Sequence, residues 1–434
     1  MRIRKGAFFM QFVSDVKKKD FDQFILSHSN VSFMQSSVWG DFWSKEMHRK
    51  PYYVGIIDKK KKLVAAALLF KKDLPLGLCY FYSPRGLILD WENKGLIELF
   101  TEEIKRFAKK QKAIYVKIDP EVKLHDLDPD GNVLGGDHSE LVTFLKSIGY
   151  KHFGFNQNFE GSEPRYTYRL DLSISEEQLF QNFHPTTKKI LKRGNPYQFE
   201  IYKNQDAKIE DFYFTMKETE KREGILYHSI DYYRNFYESL HQKDMSNLYV
   251  VKLNITNAKK INLDKQQELK EQIEQLSDAK YKNEGKNKNK KQEYINQLTK
   301  LEKEYQEFDA IHEEEVVLSS ILTVQFGDTV WTVHGGNASF LRGLNANYFI
   351  YYEIIKDAKK NGFHYIDFFG TTGDPKPENP IYGIHLFKKR LGGEYLEYIG
   401  EFDLITRPIY YRIFCTLIPF YRKIKRNLLK RKER

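Results

Sequence analysis

The chain has 434 residues, with 70 Lys+Arg against 59 Asp+Glu and a net charge of +11; at about 100–200 residues per domain, this predicts two or three domains. Hydrophobic residues make up 41% and aromatic residues 15%, enough for packed cores, so a globally disordered chain is excluded. The only cysteines are Cys79 and Cys415, which excludes a disulfide-stapled scaffold and a Cys-based zinc ribbon.

The N-terminus opens Met1-Arg2-Ile3-Arg4-Lys5, but the apolar run after it is too short for a signal peptide and meets Gln11 and Asp15. No stretch reaches the ~18 apolar residues of a spanning helix. The expectation is a cytoplasmic protein in a reducing compartment.

Tyr52–Ile57 and Leu63–Phe70 predict paired strands around the polar turn Asp58–Lys62. Leu96–Lys110 has helical periodicity, and Ala113–Ile118 is a short β-branched strand ending at Asp119-Pro120. Leu127–Asp137 reads as a polar loop and Leu141–Ile148 as a short helix. Residues 181–193 read as a basic helix start, with Pro185 in its first turn. Lys188, Lys189, Lys192 and Arg193 there make a phosphate-sized patch; the alternative is a solvated helix face.

Residues 257–312 change character. Leu269, Ile273 and Leu276, and then Leu298, Leu301, Tyr305 and Phe308, form two heptad-like seams. The economical reading is an antiparallel coiled-coil hairpin inserted between strands at Leu248–Leu253 and Val316–Gln325. Its expected tip, Lys280–Lys291, holds six Lys and one Glu, which suits RNA contact; a solvated spacer or a protein–protein arm is the alternative. Next come a strand at Thr329–Val333, a helix at Asn347–Lys360 and a strand at Tyr365–Phe369. The order helix, turn, strand, acidic residue, polar loop recurs around Asp119 and Asp367, a weak sign of a duplicated α/β unit. Between them, Asn337–Ala346 has fragments of a phosphate-gripping turn (Arg342, Gly343, Ala346); a plain strand–helix turn is the alternative.

The last 14 residues, 421–434, carry eight Lys/Arg and one Glu, so +7 of the net +11 sits there. Next to the apolar segment Ile409–Phe420, such a run suits an anionic membrane surface; RNA binding and a docked helix with a solvated end are the alternatives.

There is no Walker loop, Gly-x-Ser-x-Gly, His-Glu-x-x-His or GxGxxG, and the twelve His show no ligand spacing. No cofactor and no metal is expected.

Seven segments occur in a fixed order: Gln35-Ser-Ser-Val-Trp39, Lys117-Ile-Asp-Pro-Glu121, Phe183-His-Pro-Thr-Thr-Lys-Lys189, Glu220-Lys-Arg-Glu-Gly224, Tyr365-Ile-Asp-Phe-Phe-Gly370, Gly383-Ile-His-Leu-Phe-Lys388 and Glu397-Tyr-Ile-Gly-Glu-Phe-Asp403. Together they resemble the Fem family of peptidoglycan-bridge aminoacyltransferases. The resemblance implies an α/β fold of two tandem acetyltransferase (GNAT)-like domains with the inserted coiled coil. The expected boundaries are 1–160 with 395–434 for the first domain and 161–394 for the second, with the arm at 257–312. It implies an enzyme that moves Gly, Ala or Ser from aminoacyl-tRNA to the stem-peptide Lys amine of a peptidoglycan precursor. That precursor is lipid-linked or UDP-MurNAc-pentapeptide, met at the inner face of the membrane.

By motif position, the resemblance places Phe387 and Lys388 at the reacting centre, with Lys388 facing negative charge; a surface Lys in Lys388-Lys389-Arg390 is the alternative. Asp119 would orient or deprotonate the acceptor amine, or else cap a turn. Arg222, Trp39 and Tyr382 would bind the precursor, although Arg222 also suits a structural ion pair and Trp39 a core position. Departures occur at Gly40-Asp41-Phe42-Trp43, where nucleotide-using members place a Lys, and at Ile114, where an aromatic is expected. Both favour a lipid-linked acceptor. Aminolysis of a tRNA ester needs neither ATP nor metal, which agrees with the missing signatures. Competing readings are an acyl-CoA N-acyltransferase of the same fold and a non-enzymatic RNA- or membrane-binding scaffold.

Overall fold

A computed structural model describes residues 10–28, 31–224, 226–278 and 284–417, without the side chains of 277, 278 and 284–286. The chain divides into two compact units. The first comprises Met1–Asp171, Gln325–Thr329 and Asp367–Arg434; the second comprises Leu172–Val324 and Val330–Ile366. Residues 161–171 and 367–394, expected in the second domain, thus fold with the first. The reason is strand pairing: Tyr166–Asp171 runs antiparallel to Glu394–Tyr398, so the two stretches complete one ladder.

In the first unit an eight-stranded sheet follows the order Gln11–Val13, Lys50–Ile57, Leu63–Asp73, Cys79–Ser83, Ala113–Ile118, Phe402–Ile405, Tyr150–His152, with Ile88–Leu89 beside Leu63–Asp73. The expected hairpin forms in register, Tyr52 opposite Leu69. Cys79–Ser83 and Ala113–Ile118 are parallel, and the helix Lys94–Lys110 makes the crossover that parallel pairing requires. Its apolar stripe (Leu96, Ile97, Phe100, Ile104, Phe107) is buried against Val54, Leu69, Phe81 and Val116 in one core. Full burial of each such side chain is worth about 1.5–3 kcal/mol.

The same unit holds a second ladder, in which Glu394–Tyr398 also pairs with Lys123–Leu127, and that strand with Val133–Gly135. The expected polar loop Leu127–Asp137 therefore contains a short hairpin. Its turn hides the signal, because Asp128 accepts from the backbone N–H groups of Asp130 and Asn132, and an Asp-rich turn reads as loop in sequence.

In the second unit Glu200–Lys203, Ser246–Asn254 and Glu315–Phe326 pair antiparallel, and the helices Ile209–Glu223 and Ile230–His241 pack on Ser246–Asn254. Between Ser246–Asn254 and Glu315–Phe326 the chain leaves as the helix Ile255–Asp278 and returns as Glu284–Asp309. The pairing is antiparallel, since Lys259 bridges Asp309 at 3.0 Å and Asn262 donates to the Leu301 carbonyl at 3.1 Å. Asn262, Gln266, Tyr197 and Glu304 form a hydrogen-bonded set at the arm's base, and such a buried polar layer fixes register. Residues 280–283 of the expected basic tip and the basic run 421–434 lie outside the described residues. No helix among the described residues is long and apolar enough to cross a membrane.

Candidate active site

The helix Tyr382–Arg390 follows the loop after the strand Tyr365–Thr371. The side chains of a three-residue basic run on a helix fan over about 200°, so the three need not share one solvent-facing side. Lys388 faces inward, only 8% exposed, while Lys389 and Arg390 are partly exposed. The Lys388 ammonium donates to the Phe369 carbonyl at 3.0 Å and the Gly370 carbonyl at 2.5 Å. An ammonium has three donors, and among the described residues the third has no partner. Burial lowers the Lys388 pKa to about 7, against the opposing charge of Asp367. The reading of Lys388 as a surface lysine is thereby corrected.

The receiving backbone is held in an uncommon shape. Phe369 has φ +61°, a left-handed conformation that disfavours a bulky side chain. Its N–H donates to Asp367 Oδ1 at 2.7 Å, and its carbonyl also accepts from Thr167 Oγ1 at 2.9 Å. The single Thr167 hydroxyl proton is shared between that carbonyl and Asp367 Oδ1, 2.5 Å away. Strained backbone fixed from several sides is a feature of functional sites. Gly370 is needed next, because a Cβ there would press on the Pro164 ring and stand 2.7 Å from Phe159 Cε1. Gly370→Ala is therefore expected to destabilise the fold by about 1–3 kcal/mol and to lower activity together with the melting temperature. Thermal melts beside rate measurements check this.

A second locus in the same unit is a cleft of about 340 Å³, including open solvent, lined among others by Arg85, Asp119, Glu163, Arg165, Tyr398 and Glu401. Asp119 is 3% exposed at the end of Ala113–Ile118. It accepts from Tyr82 Oη at 2.8 Å and from the Arg85 N–H at 2.7 Å. Burial pushes its pKa up to about 7, against Arg85. Burial and the neighbouring carboxylates push Glu163 up to about 8. A carboxyl that titrates near neutral pH can take a proton from an amine and release it again.

A run of charges connects the two loci. Arg85 lies 3.4 Å from Glu121, Arg169 lies 3.7 Å from Glu121 and 3.4 Å from Asp367, and Asp367 holds the Phe369 turn over Lys388. Arg85, at φ +55°, is like Phe369 a non-glycine residue in the left-handed region.

The other expected residues fall as follows. Phe387 is partly buried, and Tyr382 stacks 6.3 Å from His385 at the start of the same helix. Trp39 is 4% exposed and packs on Phe33, Phe42 and Trp43. It fills core instead of offering a stacking face, which corrects its assignment to the precursor. Arg222 ends the helix Ile209–Glu223, donating to the Asn337 carbonyl at 3.3 Å and pairing with Glu223 at 3.4 Å. In the helix Pro185–Arg193, Lys189, Lys192 and Arg193 are exposed, and Lys188 donates to the Gln181 carbonyl at 3.0 Å. Arg342 is exposed in the turn Arg342–Leu344 before the helix Ala346–Lys360. Sequence reasoning missed Arg85, Glu163 and Arg165. Tyr398 and Glu401 lay in a quoted motif but received no role.

Residues 16–418 match the FemAB family, and the chain belongs to that family. Its relatives include the lipid II:glycine glycyltransferase of Staphylococcus haemolyticus (strain JCSC1435), 29% identical over 430 residues that cover 95% of this chain and 97% of the relative. The lipid II:glycine glycyltransferase of Staphylococcus aureus (strain USA300) is 28% identical over 441 residues, covering 95% and 99%. The crystal structure of FemX superposes with a TM-score of 0.72 at 24% identity over 93% of this chain and 99% of that one, which shows the shared α/β architecture.

Proposed function

We propose that this protein is an aminoacyltransferase that moves glycine from glycyl-tRNA to the side-chain amine of the stem-peptide lysine in a lipid-linked peptidoglycan precursor. The observation that carries the reading is the full-length likeness to two lipid II:glycine glycyltransferases. A buried lysine amine at the family-motif position Lys388 supports it.

In the proposed reaction the amine nitrogen attacks the glycyl ester carbon. A new C–N bond forms, the C–O bond to the tRNA ribose breaks, the amine loses a proton and the ribose oxygen gains one. Lys388, with one donor to spare, stabilises the developing oxyanion. Asp119 and Glu163 orient the acceptor amine and accept its proton. Phe387 shapes the pocket wall beside Lys388. Tyr382 and Arg222 contact the precursor, and Lys188, Lys189, Lys192, Arg193 and Arg342 contact tRNA phosphates. The basic run 421–434 keeps the enzyme peripheral at the inner face of the plasma membrane. Labelled Gly-, Ala- and Ser-tRNA, with acetyl-CoA as a control, should be offered with either lipid II or UDP-MurNAc-pentapeptide. Transfer from Gly-tRNA to lipid II is expected. Transfer from acetyl-CoA alone would replace the reading with an acyl-CoA acyltransferase.

A further inference from the structure

The first unit carries an exposed apolar surface that the transfer chemistry does not use. The hairpin between Leu63–Asp73 and Cys79–Ser83 ends in the turn Pro75–Gly77, closed by the Leu74 N–H donating to the Leu78 carbonyl at 2.8 Å. At its tip Leu76 is 89% exposed. A second element lies beside it. The helix over residues 408–417 buries Tyr411 and packs Phe414 against Tyr115, in the same small cluster that takes Leu74, Leu78 and Tyr80 of the hairpin. The helix's other face is bare: Ile409 is 74% exposed and Leu417 57%, with Ile413 between them at the same i, i+4 spacing. The hairpin and the helix thus pack on one aromatic cluster, and each of these neighbouring elements exposes large apolar side chains, as interaction sites do.

The rim of this patch is basic. Lys72 lies 5.9 Å from the Tyr80 ring and Lys151 5.4 Å from the Tyr411 ring. Arg407 donates to the Lys109 carbonyl at 3.4 Å, and the Lys112 carbonyl accepts from Cys79 where the hairpin begins its return. The nearby Asp73 is already paired with Lys71 at 3.0 Å. In sequence, residues 418–434 follow, with eight Lys/Arg and one Glu. Apolar side chains that enter an interface, ringed by cations that stay at headgroup level, fit an anionic bilayer. A second copy of the chain fits less well, since a self-complementary contact would set one positive rim against another.

We infer that the Leu74–Leu78 hairpin tip and the exposed face of helix 408–417 together form a membrane-docking surface that inserts Leu76, Ile409, Ile413 and Leu417 into an anionic leaflet. This goes beyond attraction through the basic tail, because it assigns insertion to two folded elements. It does not rest on the transfer reaction.

The test is flotation of the full-length protein with phosphatidylglycerol–phosphatidylcholine vesicles and with phosphatidylcholine vesicles, without tRNA or precursor. Wild type is compared with Leu76→Glu, Ile413→Glu and the pair, each leaving the tail intact. Both residues are exposed, so melting temperatures should match wild type and confirm folding. The expected result is binding to the anionic vesicles, weakened about threefold or more by each substitution and more than about tenfold by the pair. Binding by the pair variant equal to wild type would overturn the inference and leave the tail alone responsible. Wild-type protein that fails to float with anionic vesicles, or floats equally with neutral ones, would also overturn it. So would a lipid-free dimer, in sedimentation velocity, that the substitutions dissolve, because a second copy would then cover the face.

Discussion

Lys388→Ala is expected to lower kcat/KM for glycyl transfer by two to three orders of magnitude, about 3–4 kcal/mol of transition-state stabilisation. The side chain is the buried cation on the Phe369 and Gly370 carbonyls. Removing it deletes the proposed oxyanion donor and leaves two carbonyls short of a partner. A structural loss alone would show as a lower melting temperature. The predicted signature is a collapse of rate under conditions where the variant remains folded by circular dichroism. An effect below about tenfold on kcat/KM would remove Lys388 from the reacting centre.

Asp119→Asn is expected to lower kcat by about 10²-fold, within the range of a lost general base. Its pH dependence follows from the two loci. Asp119 must be ionised to accept a proton, so the rate rises with pH through about 7. Lys388 must be protonated to stabilise an oxyanion, so the rate falls again above about 7. Asp367 opposes its deprotonation, and His385 on the same helix feels the Lys388 charge in turn. A narrow bell near neutral pH is predicted for kcat, its apparent pKa values belonging to the coupled set. Asp119→Asn should flatten the acid limb. Stability should move the other way. The Asp119 pKa is raised on folding from 3.8 to about 7, so its contribution to stability is fully present below 3.8 and is lost as pH rises toward 7. At pH 8 the Asn variant should therefore melt no lower than wild type. A variant that loses stability along with activity at pH 8 would mark Asp119 as structural.

Much of this architecture was legible locally. Ala113–Ile118 announced itself by β-branching, the hairpin at Asp58–Lys62 by its polar turn, and the long arm by two heptad seams, because period and turn chemistry are properties of neighbouring residues. Asp119 and Lys388 were reached through family motifs. What stayed hidden depends on distance in the chain. The cleft gathers Arg85, Asp119, Glu163 and Glu401 from four separate segments, and nothing near Glu163 in sequence marks it as desolvated. The inward turn of Lys388 was masked by its basic neighbours, and the core position of Trp39 by its place in a quoted motif. The exposed Leu76 sat in a hairpin turn whose sequence, Leu-Pro-Leu-Gly-Leu, carries no sign of which leucines pack and which face outward.

The most direct measurement is a single-turnover reaction of the purified protein with labelled Gly-tRNA and lipid II, with the product located by tandem mass spectrometry. The account predicts one glycyl residue on the side-chain amine of the stem-peptide lysine, formed within the first turnover and slowed by two to three orders of magnitude in Lys388→Ala. Label that stays on tRNA with unmodified lipid II, or appears only on a precursor already bearing a bridge residue, would contradict it.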